Sequence, residues 1–335
     1  VVSVVLLILV GTVFMTGPAK LLAAITPAAL DFKFWLIVVL IYYFLATMLP
    51  IDQLIGRIYP VFGLILIIMA VGIVGGLMVQ GYQLPELTWT NVHPKNLPVW
   101  PLMFISIACG AISGFHATQS PMMARCLKNE RYGRRVFYGA MVAEGVIALI
   151  WAAAGMAFYH GTDGLGAAMT EAGPGGVVNN VSISLLGRAG GILAILGVII
   201  CPITSGDTAF RSARLTLADW LKVDQRPILK RLLIALPMFA VGAALSQMNF
   251  EIIWRYFAWS NQTLAMIVLW VSAVYLVRRR IAHWLATVPA TFMTAVSATY
   301  LLQAPEGFKL STSVAYPAGI AIAAAVLVVF LAVIF

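Results

Sequence analysis

A cluster of polar residues interrupts an apolar stretch in the first half of the chain. Five polar side chains fall within eight positions of the run GAISGFHATQSP (residues 110–121), which also holds two glycines four apart and a closing proline. Such a run makes a poor continuous helix. A helix broken inside a membrane presents free backbone groups and helix ends to a bound solute, as in many transporters. The alternative is close helix packing at Gly110 and Gly114, with His116 hydrogen-bonded within the bundle.

A second polar group lies in CPITSGDTAFR (residues 201–211). Thr204, Ser205 and Thr208 offer hydroxyl oxygens, and Asp207 offers a carboxylate. Oxygen ligands of this kind suit a hard cation such as sodium, and a carboxylate inside a membrane also suits a proton relay. The alternative is that Asp207 pairs with Arg211 one helical turn later and serves structure alone.

Two further polar sites interrupt apolar segments. Glu144 follows Arg135 by roughly two and a half helical turns, which places its carboxylate near the middle of the bilayer, where it is a candidate proton carrier or a structural partner. Asn261 lies in an aromatic-rich stretch whose Trp and Tyr residues also fit an interfacial belt. Arg255 in that stretch either extends to the interface or attracts an anionic solute.

Metal and hydrolytic chemistry find little support in the sequence. No two of the four histidines share a helical turn, and His-Glu-x-x-His and Cys-x-x-Cys are both absent. We therefore expect no enzyme and no cofactor, apart from sodium or a proton as a coupling ion.

The composition identifies the environment in which these side chains act. Apolar residues make up 62% of the 335 positions and charged residues 10%, and the mean hydropathy is +0.97. A soluble domain holds about 25% charged residues, so the chain is predicted to be an all-α membrane protein that lies in the lipid bilayer. We expect one transmembrane domain over residues 1–335, and expect it to be a piece of a longer protein.

Apolar runs long enough to cross a bilayer number about ten. They cover approximately Val1–Thr16, Phe34–Leu49, Pro60–Gln80, Val99–Met123, Val136–Tyr159, Ala189–Arg211, Leu229–Gln247, Ile252–Val277, Trp284–Gln303 and Thr312–Phe335. The segments Gly17–Lys33 and Gly161–Arg188 are predicted to be external connections, the second with a short interfacial helix at Val177–Leu186.

The basic residues give the predicted orientation. Fifteen of the 21 fall on one side if the loop after the second span is cytoplasmic, mainly around Arg125–Arg135, Arg211–Arg231 and Arg278–Arg280. Cytoplasmic loops are richer in Lys and Arg. The charges are thus distributed as topology signals, and no loop is long enough for a nucleic-acid-binding module.

Three stretches resemble a known family. They are residues 110–151, residues 201–219 and WRYFAWSNQTLA (residues 254–265), and they are similar to the carbon starvation protein A family of bacterial inner-membrane transporters. The resemblance implies uptake of pyruvate or peptides and a role in carbon starvation. The family is grouped with the amino acid, polyamine and organocation superfamily, which implies a LeuT-like inverted-repeat fold.

Under that resemblance, Val99–Met123 corresponds to the broken sixth core helix, and Ala189–Arg211 to the eighth, which supplies hydroxyl oxygens to a cation site in sodium-coupled relatives. The first two core helices would then be absent from this chain.

These observations predict a secondary active transporter that imports pyruvate or short peptides with proton or sodium coupling. The predicted solute site consists of Ser113, Gly114, His116, Thr118, Gln119 and Asn261. The predicted cation-coupling set consists of Glu144, Thr204, Ser205, Asp207 and Thr208. The alternative is a membrane solute sensor or receptor subunit without transport. The sequence gives no oligomeric state.

Overall fold

The computed structural model describes residues 1–48, 59–86 and 88–334, with the backbone alone at residues 108–111. These residues form helices and connections, and no strand occurs among them. The helices are α1 (Val2–Ile25), α2 (Phe32–Met48), α3 (Tyr59–Val79), α4 (Val99–Ala111), α5 (Gly114–Cys126), α6 (Ala140–Phe158), α7 (Thr162–Trp220), α8 (Ile228–Leu245), α9 (Phe250–Arg278), α10 (Trp284–Gln303) and α11 (Thr312–Ile334). A 3₁₀ turn (Glu130–Tyr132) and a π-helical turn (Arg134–Gly139) precede α6.

The predicted polytopic all-α bundle is confirmed. Within the described residues, eight helices are long and apolar enough to cross a membrane. Helix α2, with 17 residues, is at the short end of the required range, and the α4–α5 pair occupies the fourth predicted span. Leu49, the predicted end of the second span, and Arg57, one of the topology residues, lie outside the described residues. The inverted-repeat arrangement stays a prediction.

The described helices divide into two compact units. The first contains residues 1–6, 97–125 and 251–335, and the second contains residues 7–96 and 126–250. The first unit has a core of α4 and α10 side chains in which Ile105, Met293 and Val296 are buried. In the second unit α3, α6 and α7 pack through Ile73, Ala154 and Val181.

Helix α1 does not end where the sequence predicted. It continues beyond Thr16 to Ile25 and includes Pro18. Proline removes the backbone donor that would bond the carbonyl four residues earlier, here Phe14. The Tyr43 hydroxyl of α2 donates to that carbonyl at 2.7 Å. The prediction of a connection at Gly17–Lys33 is therefore wrong for its first half, because a distant tyrosine replaces the lost hydrogen bond.

Helix α7 also differs from the prediction. Residues 162–220 are helical apart from non-helical backbone at Gly173 and Gly187, where φ is 66° and 67°. These values are favourable for glycine alone. Gln80 donates to the carbonyls of Ser184 and Leu185, just before the second break, at 3.0 and 3.1 Å. The segment predicted to be an external connection is therefore mostly helix.

The segment predicted to be a short interfacial helix is helical and packs in the second unit's core. Val177, Val181 and Leu185 are all buried and pack with α3 and α6. One face of this segment is therefore covered by protein, which the local sequence does not show.

Helix α7 continues beyond Arg211, the predicted end of the sixth span, to Trp220. Arg211 and Arg214, predicted to lie in a cytoplasmic loop, are buried. Together with Arg231 they donate to the carbonyls of Ala46, Thr47 and Met48 at the end of α2. The last carbonyls of a helix lack partners within it and carry partial negative charge. The three guanidinium groups supply both hydrogen-bond donors and positive charge to these carbonyls.

Candidate functional site

The fourth predicted span is broken, as its sequence predicted. Helix α4 ends at Ala111 and α5 begins at Gly114, with Ile112 and Ser113 between them outside any helix. Helix ends carry unpaired backbone groups and opposite partial charges. The break therefore brings a helix C-terminus and a helix N-terminus together within one span.

Asn261 holds the start of α5. Its side chain, on α9, is fully buried, and its Oδ1 accepts hydrogen bonds from the backbone N–H of Phe115 at 2.8 Å and from the Ser113 hydroxyl at 3.2 Å. An asparagine oxygen is a good acceptor for the first amides of a helix, usually from the adjacent chain position. Here it comes from a residue far along the chain, so the bond fixes α5 against α9.

Gly114 allows this close contact between α5 and α9. A Cβ atom at this position would lie 2.4 Å from the Asn261 carbonyl oxygen and 2.9 Å from the Ala265 nitrogen, both backbone atoms. Such distances are far below van der Waals contact, so a side chain here would separate the two helices. The close-packing alternative for Gly114 is thus correct, and it occurs together with the helix break.

The other predicted solute-site residues follow along the first turns of α5. The backbone N–H of His116 lies 3.5 Å from the Ser113 hydroxyl oxygen. The Thr118 hydroxyl donates to the Phe115 carbonyl at 2.7 Å, and Gln119 Nε2 donates to the Thr118 hydroxyl at 3.0 Å. His116, Thr118 and Gln119 are partly exposed. All six residues of the predicted solute set therefore lie in the first unit, along α5 and at its contact with α9.

Gln262 lies next to Asn261 on α9 and was not in the predicted solute set. It is fully buried, and its Nε2 donates to the Ile105 carbonyl of α4 at 3.3 Å. Asn261 Nδ2 and Gln262 Oε1 have no hydrogen-bond partner among the described residues. Unpaired buried polar atoms are costly, so this donor and this acceptor each require a partner that the described residues do not supply. The adjacent Asn-Gln pair in an apolar helix was the available signal.

The predicted cation-coupling residues lie in the second unit. Helix α7 continues through Pro202, and the Thr204 and Ser205 hydroxyls both donate to the Cys201 carbonyl, at 2.9 and 3.2 Å. The single hydrogen of the Thr208 hydroxyl is shared between the Thr204 and Ser205 carbonyls, at 3.1 and 3.0 Å. A hydroxyl that donates one bond keeps its lone pairs. These three oxygens therefore remain able to bind a cation.

Asp207 has a different set of partners. Its Oδ1 pairs with Arg211 Nη2 at 3.3 Å, and its Oδ2 accepts a hydrogen bond from the Tyr59 hydroxyl at 3.2 Å. Both charged residues are buried. This is the ion-pair alternative considered for Asp207. Tyr59, which completes the network from α3, was missed because nothing in the local sequence links it to α7.

Glu144 approaches the hydroxyl group from α6. Its carboxylate is partly buried and interacts electrostatically with the Cys201 thiol. Cys201 lies one helical turn before Ser205, so both residues share a face of α7. The structure therefore brings Glu144 towards the α7 face that carries Ser205.

Arg255 lies beside a carboxylate. Its Nε is 3.2 Å from Oε1 of Glu306, which follows α10. The same oxygen accepts a hydrogen bond from the Tyr300 hydroxyl at 2.7 Å. A paired guanidinium attracts an anion less strongly than a free one, so these contacts disfavour Arg255 as a collector of anionic solute.

Several known proteins are similar in sequence to this chain. The family model for carbon starvation protein CstA matches residues 1–162, which include the broken helix and Glu144. The chain is 27% identical over 365 residues to the peptide transporter CstA of Campylobacter jejuni, across 85% of this chain and 51% of that protein. The chain belongs to the carbon starvation protein CstA family.

Two further relatives extend the comparison. An uncharacterised protein of Haemophilus influenzae is 55% identical over 122 residues, which cover 36% of this chain and 88% of that protein. The pyruvate/proton symporter BtsT of Escherichia coli K12 is 32% identical over 115 residues, 32% of this chain and 16% of that protein. No solved structure shows a significant match.

This chain corresponds to a part of its CstA relatives. The chain spans about half the length of the CstA peptide transporters that it matches over most of its own length. As a family member with many apolar helices, it is a multi-pass protein of the inner membrane.

Proposed function

We propose that the whole protein is a secondary active transporter that imports pyruvate or short peptides across the inner membrane during carbon starvation. The relatives named as a peptide transporter and as a pyruvate/proton symporter support this activity. The observation that carries the proposal is the break at Ile112–Ser113, held by Asn261 and Gly114. Both pyruvate and peptides carry a carboxylate, a group that binds well at a helix N-terminus.

The solute would bind where α5 begins. Ser113 and Asn261 would position the helix end, His116, Thr118 and Gln119 would offer side-chain hydrogen bonds, and Gly114 would keep α5 close to α9. Exchange between inward and outward access would come from movement of one group of helices against the rest.

The coupling cation would interact with α7. Thr204, Ser205 and Thr208 would supply oxygen ligands for sodium, and Glu144 would carry a proton. Asp207 would contribute through its bonds to Arg211 and Tyr59, which link α7 to α3 and to the end of α2. The relative named as a proton symporter favours the proton as the coupling ion.

Uptake driven separately by a pH step and by a sodium step tests the proposal. The full-length protein is reconstituted in liposomes, and uptake of labelled pyruvate and of a labelled dipeptide is followed under each gradient. We expect accumulation under the proton gradient, and a loss of that accumulation with Glu144→Gln, because glutamine cannot carry a proton. Solute binding without accumulation under either gradient would contradict transport and would favour the sensor alternative.

A further inference from the structure

Glu306 has one carboxylate oxygen that the described residues leave unpaired. Its side chain is 10% exposed, and its Oε1 lies beside Arg255. Oε1 also accepts a hydrogen bond from the Tyr300 hydroxyl. Oε2 is buried and has no hydrogen-bond partner among the described residues. A buried carboxylate oxygen ordinarily finds a donor. This oxygen therefore points to a missing donor.

A small cavity adjoins the same residue. Its volume is about 30 Å³, and its lining includes Glu306 and the aromatic side chains Tyr256, Trp259 and Tyr300. That is more room than a single water-sized group requires. A small head group therefore fits.

The lining chemistry selects a cation with N–H donors. Tyr and Trp rings attract cations through their electron-rich faces, and a carboxylate accepts charge-assisted hydrogen bonds. An ammonium head group satisfies both requirements and matches the size of a water. A carboxylate or phosphate ligand would be repelled by Glu306.

We propose that Glu306, Tyr256, Trp259 and Tyr300 form a binding site for a primary ammonium group. The site lies in the first unit, at the start of α9 and the end of α10, which the basic loops place on the external side. It shares no residue with the predicted solute site and does not depend on whether the protein transports pyruvate or peptides. The ammonium group could belong to the amino terminus of a peptide or to a free amine.

Arg255 provides the matched control. If Glu306 served solely to pair with Arg255, replacing either residue would remove the same interaction. If Glu306 binds an ammonium group, Arg255 competes for its charge. Arg255 is 43% exposed and Glu306 is 10% exposed, so the folding stability of each variant is measured beside its binding.

Methylammonium is the probe, and its binding to the purified full-length protein in nanodiscs is measured by saturation-transfer NMR. Tetramethylammonium at equal ionic strength serves as the comparison, because it has the same charge but is larger and lacks N–H donors. We expect methylammonium to bind more tightly, Glu306→Gln to weaken its binding about tenfold, and Arg255→Gln to leave it unchanged or strengthen it. Thermal unfolding of each variant checks that it is folded.

Competition distinguishes the two sources of the ammonium group. Displacement of methylammonium by alanyl-alanine, but not by N-acetyl-alanyl-alanine, identifies a peptide amino terminus, and displacement by neither identifies a free amine. Equal binding of tetramethylammonium, an unchanged affinity in folded Glu306→Gln, or an equal loss in Arg255→Gln would overturn the proposal.

Discussion

Asn261 and Gly114 determine how α5 begins. The buried amide oxygen of Asn261 satisfies the Phe115 N–H and the Ser113 hydroxyl, while the missing side chain of Gly114 lets the α9 backbone approach. Two buried polar atoms on α9 have no hydrogen-bond partner among the described residues, namely Asn261 Nδ2 and Gln262 Oε1. Asn261 thus fixes the start of α5 and also brings an unpaired amide nitrogen to the break in the helix.

Replacement of Gly114 by alanine tests the close contact. The new Cβ would lie 2.4 Å from the Asn261 carbonyl oxygen, and such overpacking costs about 1–3 kcal/mol. We expect a lower unfolding midpoint and a loss of uptake in Gly114→Ala. Gly63→Ala on α3 is the control, because no atom lies within 4 Å of the added Cβ there. Equal behaviour of the two variants would contradict the contact.

Asp207 and Arg211 form a buried pair whose role is separable by a double variant. Removing one partner leaves a buried charge unpaired, which costs about 3–5 kcal/mol. We expect Asp207→Asn or Arg211→Gln alone to lower the unfolding midpoint strongly, and the double variant to recover part of the loss. The cation concentration for half-maximal uptake should be unchanged in the double variant. A large increase in that concentration would instead make Asp207 a cation ligand.

The helices show what local sequence predicts well. The break in the fourth span was predicted because its glycines, proline and polar side chains are adjacent in the chain. The course of α1 and α7 was not, because their compensating contacts come from distant residues. Tyr43 bonds the carbonyl exposed by Pro18, and Gln80 bonds carbonyls before Gly187.

The contact between Tyr43 and the α1 backbone is testable with a double-variant cycle. Tyr43→Phe removes the donor to the Phe14 carbonyl, and we expect it to lower the free energy of unfolding by about 1–3 kcal/mol. In a Pro18→Ala background the backbone N–H of residue 18 bonds that carbonyl, so the same change should cost less. Unfolding midpoints in detergent measure the cost of Tyr43→Phe in the wild-type and Pro18→Ala backgrounds. Equal costs in the two backgrounds would exclude this compensation.

At the scale of the whole molecule, the distribution of basic residues predicts how the chain is oriented in the membrane. It does not predict which groups the basic side chains contact. Arg211, Arg214 and Arg231 bind the last carbonyls of α2 rather than lying free in a loop. Their position at the end of a helix that runs inward agrees with the predicted cytoplasmic side. Five of the six residues in the predicted solute set lie within seven positions of the chain, so the sequence alone places them together, whereas the contacts of Asn261, Tyr59 and Gln262 required the fold.

Cysteine labelling in intact cells tests the orientation. Asn91→Cys, between α3 and α4, and Asn129→Cys, after α5, are introduced into a full-length protein whose native cysteines are replaced by serine. A membrane-impermeant maleimide should label position 91 in intact cells and position 129 after permeabilisation alone. The reverse pattern would invert the predicted topology.

Uptake by Asn261 variants tests the central claim most directly, namely that the broken helix forms the solute site of a gradient-driven transporter. Full-length wild-type protein, Asn261→Asp and Asn261→Leu are reconstituted in liposomes, and uptake of labelled pyruvate and dipeptide is measured with and without a proton gradient. Aspartate keeps an acceptor for the Phe115 N–H and the Ser113 hydroxyl, and its charge suits a helix N-terminus. We predict gradient-dependent uptake by wild type, partial uptake by Asn261→Asp and about tenfold less by folded Asn261→Leu. Undiminished uptake by Asn261→Leu, or wild-type uptake that ignores the gradient, would contradict the account.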